Sequence, residues 1–347
     1  ILKRILRYAF RAVLVLLVLV FVASLLLLLP SVQTKLGHWA SDLATERLGA
    51  EVRVERIEIR PFSLVRLHGL YIQDLLGDTL ITARELRLGT WRVHPRTHRV
   101  HVRSLDLVNA RFRLNTVKGD RNSNLEHVIA KLSGVDVEDT TTTPGWTIDC
   151  GKFNVKNLHF SFNSGNYDHD TTAIDFSHID IPDATVAGSD LRVAGDSIVV
   201  QLTTLHLSEQ CGLRVEELTG SATVSGRSIR VDHMHLRTPR SELHGQYKMT
   251  STNWRAYSHY IDSVYMRLDV DTALLQFADV AWFAPQLRGV DLPVRVKGNF
   301  RGTVSELKGR NVDLWFGERS HFKGKGELSG LPNMKGTFMV IDVDELT

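Results

Sequence analysis

The feature that most constrains this chain is a run of 18 residues, Ala12–Leu29, that carries no charge and is built mostly from valine, leucine and phenylalanine. As a helix it measures roughly 27 Å at about 1.5 Å per residue, close to a hydrocarbon core of about 30 Å. Lys3, Arg4, Arg7 and Arg11 precede it, and the positive-inside rule keeps such a flank in the cytoplasm. A cleavable signal peptide is the competing reading. The run is longer than the usual apolar region of about 7–15 residues, and Leu27, Leu28 and Leu29 do not resemble a small-residue cleavage site. The expectation is a retained single-pass anchor over residues 1–30, with the rest of the chain on the far side of the membrane.

The 318 residues after Leu29 suffice for one large domain or two ordinary ones. Forty-two basic residues nearly cancel 39 acidic ones, so net charge gives no face for nucleic acid. Cys150 and Cys211 are the only cysteines. They could pair after translocation or stay free as small buried residues, and two cysteines make no disulfide framework. The chain starts at Ile1 and stops at Thr347 inside an alternating apolar stretch, so it reads as part of a longer protein, truncated at its C-terminus.

After Pro30 and Ser31, apolar residues at Val32, Leu36, Trp39, Ala40, Leu43 and Leu48 predict an amphipathic helix over 31–49, closed by Gly49. From Glu51 the period changes to two, and residues 50–347 read as one strand-rich domain. A four-position pattern recurs there: apolar-x-apolar-x-x-apolar-x-apolar. It occurs at Val52, Val54, Ile57, Ile59; at Val65, Leu67, Leu70, Ile72; at Ile81, Ala83, Leu86, Leu88; and at Val100, Val102, Leu105, Leu107. It returns at Phe153, Val155, Leu158, Phe160; at Ile174, Phe176, Ile179, Ile181; at Val200, Leu202, Leu205, Leu207; and at Ile229, Val231, Met234, Leu236. Strict alternation puts residues three apart on opposite faces of a strand. One extra residue, a β-bulge, returns both halves to one face and bends the strand.

Eight such strands predict a mainly β fold: a curved, mostly antiparallel sheet around an open apolar groove, with a few short helices. A closed β-sandwich core is the alternative that periodicity leaves standing. Spacing between copies varies from 13 to about 50 residues, which excludes a fixed-period solenoid. A short helix (Leu125, Val128, Ile129, Leu132) and a Thr-rich acidic loop (Val135–Pro144) interrupt the strands near 122–146, and a second helical interruption is expected near 272–285.

Motifs of catalysis are missing: the sequence contains no HExxH, GxSxG, P-loop or GxGxxG. The expectation is a protein that is not an enzyme and carries no cofactor or metal. His94, His98 and His101, and the same-face pair His233 and His235, come nearest to a metal site, but no cysteine or carboxylate joins them at ligand spacing in the sequence. Asp168, His169 and Asp170 read as a solvated turn. Glu216 and Glu217 are adjacent, so on a strand they face opposite ways.

Several segments resemble the start of the TamB and AsmA-like family. They run from Pro30-Ser31-Val32-Gln33 to Leu48-Gly49, then Val52-Arg53-Val54, Ile59-Arg60-Pro61-Phe62-Ser63-Leu64, and Leu67-His68-Gly69-Leu70-Tyr71-Ile72 with Asp74 and Gly77-Asp78-Thr79-Leu80. Thr238-Pro239-Arg240-Ser241-Glu242-Leu243-His244-Gly245, Gly298-Asn299-Phe300-Arg301-Gly302 and Leu328-Ser329-Gly330-Leu331-Pro332 add to it. The resemblance lies in strand and turn positions and includes no catalytic motif. It implies a Gram-negative inner-membrane protein, N-terminus in the cytoplasm, whose periplasmic sheet forms a β-taco trough for phospholipids. It also implies a possible BamA-like outer-membrane partner, reached through a C-terminal region beyond this chain, and hence the alternative of a scaffold or chaperone for outer-membrane protein assembly. The first role fits the energetics. A ~16-carbon chain in water costs on the order of 12 kcal/mol, and a continuous trough removes most of that barrier.

Overall fold

The computed structural model describes residues 29–60, 64–120, 122–133, 146–169, 174–252, 256–257, 260–283, 287–317, 320–331 and 336–347. The expected membrane anchor before Leu29 and the loop 135–144 lie outside the described residues. Among the described residues no helix is long and apolar enough to cross a membrane.

Seventeen strands make one curved, mixed sheet. They are β1 (Val52–Arg60), β2 (Leu64–Gln73), β3 (Thr79–Leu88), β4 (Trp91–His94), β5 (Arg99–Thr116), β6 (Thr147–Ser164), β7 (His178–Ala194), β8 (Ser197–Ser208) and β9 (Arg214–Val215). Then follow β10 (Glu217–Ser225), β11 (Ser228–Arg237), β12 (Glu242–Thr250), β13 (Tyr265–Gln276), β14 (Pro293–Gly302), β15 (Glu306–Phe316), β16 (Ser320–Ser329) and β17 (Phe338–Leu346). The long strands pair in chain order from β1 to β17, with short β4 beside β5 and short β9 beside β8. Every pairing is antiparallel except β5 with β6. That exception follows from the connection between them. It contains helix α2 (Asn124–Ser133) and is long enough to return the chain to the same end of the sheet.

The repeated pattern sets the register. The four apolar positions of β1 pair with those of β2 as Val52–Ile72, Val54–Leu70, Ile57–Leu67 and Ile59–Val65. Those of β2 pair with β3 in the same way. The bend between the two halves takes two forms. In β1, β2, β3 and β5 the register runs through it unshifted, and Gly69 (φ 62°) and Asn109 (φ 51°) supply left-handed backbone. Gly69 lies so close to Glu55 that a Cβ there would overlap the carboxyl side chain, so glycine meets both demands. In β11, β13 and β15 one extra residue shifts the register against both neighbours; the spacing predicts this β-bulge in β11 alone. His233 (φ 50°) and Asn311 (φ 50°) occupy two of these bulges.

Two expectations are corrected. Ile174 and Phe176 precede β7 and are not strand residues; the bent repeat in β7 is Ile179, Ile181, Ala184, Val186, one half-copy further along. Ile174 is instead buried in a rim loop, its N–H donating to the Trp282 carbonyl at 2.9 Å. The helical interruption near 272–285 begins later than its apolar spacing suggests. β13 continues to Gln276, with Ala273 paired to Leu243 and Val296, and a single helical turn at Phe277–Val280 follows. A bulge at Asp271–Thr272 broke the period-two signal that would have marked this as strand.

Helix α1 (Pro30–Leu48) lies against β1 and ends at Gly49, whose φ of 66° and N–H to the Thr45 carbonyl (2.8 Å) close its last turn. The face it buries is not the apolar one. Gln33, Gly37, Ser41 and Leu48 pack inward, whereas Trp39 and Leu43 are 63% and 42% exposed. Small and polar residues are needed there because the helix approaches backbone: a Cβ on Gly37 would sit 3.0 Å from the Val54 carbonyl oxygen.

Candidate functional site

The apolar face of the sheet is the extended feature of this molecule. It grows from side-chain alternation interrupted at each bend, so that both halves of a strand present apolar groups to the same side. Across β5 and β6 the ladder reads Val102–Cys150, Leu105–Phe153, Leu107–Val155, Ala110–Leu158 and Phe112–Phe160. Val200–Ala222 continues it from β8 to β10, Ala222–Val231 into β11, and Leu236–Leu243 into β12. Val102, Phe153, Val200, Ala222, Val231, Met234, Leu243, Val270 and Ala273 form one contiguous cluster, with Leu105, Val155, Leu202, Leu236 and Leu268 packed on it.

Register pairs the apolar positions of the repeats with one another, as in Val52, Val54, Ile57 and Ile59 of β1 with Ile72, Leu70, Leu67 and Val65 of β2, and Val231 and Leu236 of β11 with Ala222 and Leu218 of β10. Most are half-buried, including Leu67, Leu105, Leu107, Val155, Leu158, Phe160, Ile179, Ile181, Leu202, Leu205 and Leu207. Among the described residues only Leu80, Val264 and Asp74 have exposures of 2% or less among the large side chains. A closed two-layer core fills its middle with completely buried side chains. Half-buried side chains along the length of the strands are what one curved layer leaves. A depression of about 310 Å³ is lined by Leu105, Phe153 and Gly188 together with the polar residues Ser104, Asp106, Lys152, Asn154 and Thr203, and a Cβ on Gly188 would overlap the Phe153 ring.

One end of the face is covered. Leu48 of α1 and Val128 of α2 bury Val52 and Leu80, with Ile72, Ile81, Phe112, Leu114 and Leu125 around them. Asp74 fastens this cover to the sheet. Its Oδ1 accepts from the N–H groups of Leu76 and Asp78 (both 2.9 Å), and its Oδ2 accepts from Asn124 Nδ2 at 3.0 Å. Asn124 Oδ1 in turn accepts from the Asn115 and Leu125 amides at 3.0 Å.

The opposite face is charged. Arg66 bridges Glu58 (3.1 Å) and Glu85 (2.9 Å) across β1, β2 and β3. The hydrogen bond from Arg87 holds the Glu85 carboxyl below the usual range against an opposing effect of burial. Burial pushes Glu58 upward, but the charges of Arg66, Arg60 and His68 outweigh it and the net shift is downward. Glu216 and Glu217, adjacent in sequence, both reach Arg237 (3.5 and 3.4 Å).

The histidines are not grouped as their spacing suggests. His94 ends β4, His98 follows a 3₁₀ turn and His101 lies in β5; His98 meets Trp146 edge-on at 5.3 Å. His233 sits in the β11 bulge and does not join His235. Instead His235 meets Glu242 and His244 across β11 and β12, and His169 meets Asp175 and His178 near the start of β7. A carboxylate therefore does join His235, from a neighbouring strand that sequence spacing cannot reveal. The nearest signal in the sequence is the Glu242-x-His244 alternation, which places both on one face. The hydrogen bond with His235 holds the Glu242 carboxyl below its ordinary range.

Cys150 and Cys211 are both free, Cys150 in β6 and Cys211 in a rim turn. Burial pushes both thiols up, that of Cys211 to about 11 with the help of its Glu209 hydrogen bond, so neither is a thiolate nucleophile near neutral pH. Comparison with protein-family models, curated proteins and solved structures finds no match to this chain.

Proposed function

We propose that this chain is the membrane-proximal part of a bridge-like lipid carrier of the TamB and AsmA-like kind. In this reading it is anchored in the inner membrane, its sheet stands in the periplasm, and phospholipid acyl chains lie along the groove while head groups stay in water. The observation that carries the reading is the apolar face, packed into one cluster from β3 to β14 and largely half-buried, on a sheet whose opposite face carries charged side chains. Such a surface is too large to be left to water without a partner, and a flexible hydrocarbon chain fits a long shallow groove better than a compact ligand does. No catalytic step is part of the reading, and no energy source either, so any direction of movement comes from partners or gradients.

Half-buried floor positions give the sharpest test. Leu67→Asp and Val155→Asp place a charge where it can still reach water beside the sheet. The protein is expected to accumulate at near-normal levels while photo-crosslinking of phospholipid from a probe at Leu205 falls strongly. Normal folding with undiminished crosslinking sinks the reading. Collapse of both variants points to a closed core, because a buried unpaired charge costs several kcal/mol.

A further inference from the structure

Outside the groove, the charged face carries a cluster that the lipid reading does not use. His235 and His244 are cross-strand partners in β11 and β12, and Glu242 lies two residues before His244. Alternation puts all three on the face opposite Leu236 and Leu243. The two imidazole rings stack at 4.2 Å between centroids with only 5° between their planes. Their Nε2 atoms converge on one oxygen of Glu242, at 2.8 Å from His235 and 3.3 Å from His244. Arg237, two residues along β11, is engaged by Glu216 and Glu217, which leaves Glu242 to the imidazoles.

We propose that His235, Glu242 and His244 form a binding site for a borderline transition-metal dication, with zinc the representative ion. Zinc takes imidazole nitrogen and carboxylate oxygen at about 2.0–2.2 Å, so tetrahedral ligand atoms lie about 3.3 Å apart. The two spacings to Glu242 match that within the reach of a side-chain torsion, and all three donor atoms lie within 4.8 Å of one another. Three protein ligands on a half-exposed sheet face leave the fourth position to water, so the ion exchanges with solvent. Bound there, it staples β11 to β12 beside the β11 bulge, where the ladder of hydrogen bonds is interrupted.

The other histidine cluster is a weaker host. The side chains of His178 and Asp175 are 7% and 13% exposed, against 27% and 50% for His235 and Glu242, so an ion there has less access to water.

The test is titration of the full chain in detergent with zinc against a chromophoric chelator. One equivalent is expected to bind in the wild type. Glu242→Gln and His244→Ala are expected to weaken it at least about tenfold, and His178→Ala to leave it unchanged. Failure of the wild type to compete, equal affinity in His244→Ala, or loss in His178→Ala alone would each overturn the assignment. Glu242→Gln keeps the shape of the side chain, so its loss of affinity cannot come from misfolding.

Discussion

The two edges of the sheet end in opposite ways. At β1 the open backbone is closed by α1: Ser41 Oγ accepts from the Val54 N–H at 2.8 Å, and Thr45 Oγ1 accepts from the Val52 N–H at 2.9 Å. Gly37 lets the helix come close enough for those side chains to reach. At β17 nothing among the described residues lies outside the strand, and all of its residues are exposed. An unpaired edge is a template for another strand, and a helix that bonds its amides removes that hazard. Helix α1 closes the β1 edge by bonding its amides, whereas β17 is exposed among the described residues.

The largest effect that can break the contrast is expected at Asp74, in the covered end. Asp74→Ala removes three hydrogen bonds to a carboxylate, from the Leu76 and Asp78 amides and from Asn124 Nδ2, and a hydrogen bond to a charged group contributes about 1.5–3 kcal/mol where it is buried, less at the exposed Leu76 and Asp78. Denaturant unfolding should show a loss of about 3 kcal/mol or more; a loss below about 1 would mean the α2 cover is not fastened there. Ser41→Ala acts on the edge itself and is expected to cost about 1 kcal/mol. Hydrogen exchange should quicken at Val54 and stay as it was in β17.

A smaller effect follows from the carboxylates on β1 and β3. Glu58 and Glu85 titrate below their ordinary value in the folded chain, so their contribution is present above about pH 4.3 and is lost as pH falls through the lower folded values. Wild-type stability should drop by under about 1 kcal/mol from this source between pH 7 and pH 3, and Glu85→Gln should show a shallower dependence. The smallest change is expected at β17, where Ile341→Lys should stay within about 0.5 kcal/mol. The same substitution should reduce self-association of the chain, measured by sedimentation. A destabilisation above about 1 kcal/mol would mean that this edge is covered after all.

Much of the sheet was legible because its determinant is local. The spacing in Val65, Leu67, Leu70 and Ile72 forces a bend at His68–Gly69 whichever strand lies beside it. The bends at Asn109 and in β13 and β15 are equally local, but small residues at Ala110, Ala273 and Gly309 weaken the apolar signal there. Apolar spacing marks where helix α1 lies but not the face it buries, since a docking surface made of Gly37, Ser41 and Thr45 carries no apolar signal.

What the sequence determined by itself is therefore the strand period, the bends and the side of each strand that is apolar, because these depend on residues within one strand and on backbone geometry. The tertiary structure alone decided which strands meet. It made β5 and β6 parallel, set Ser41 and Thr45 on the amides of β1, and drew Glu242 between His235 and His244. Those contacts join residues whose separation along the chain holds no record of their distance in space, and only the completed hydrogen-bond register brings them together.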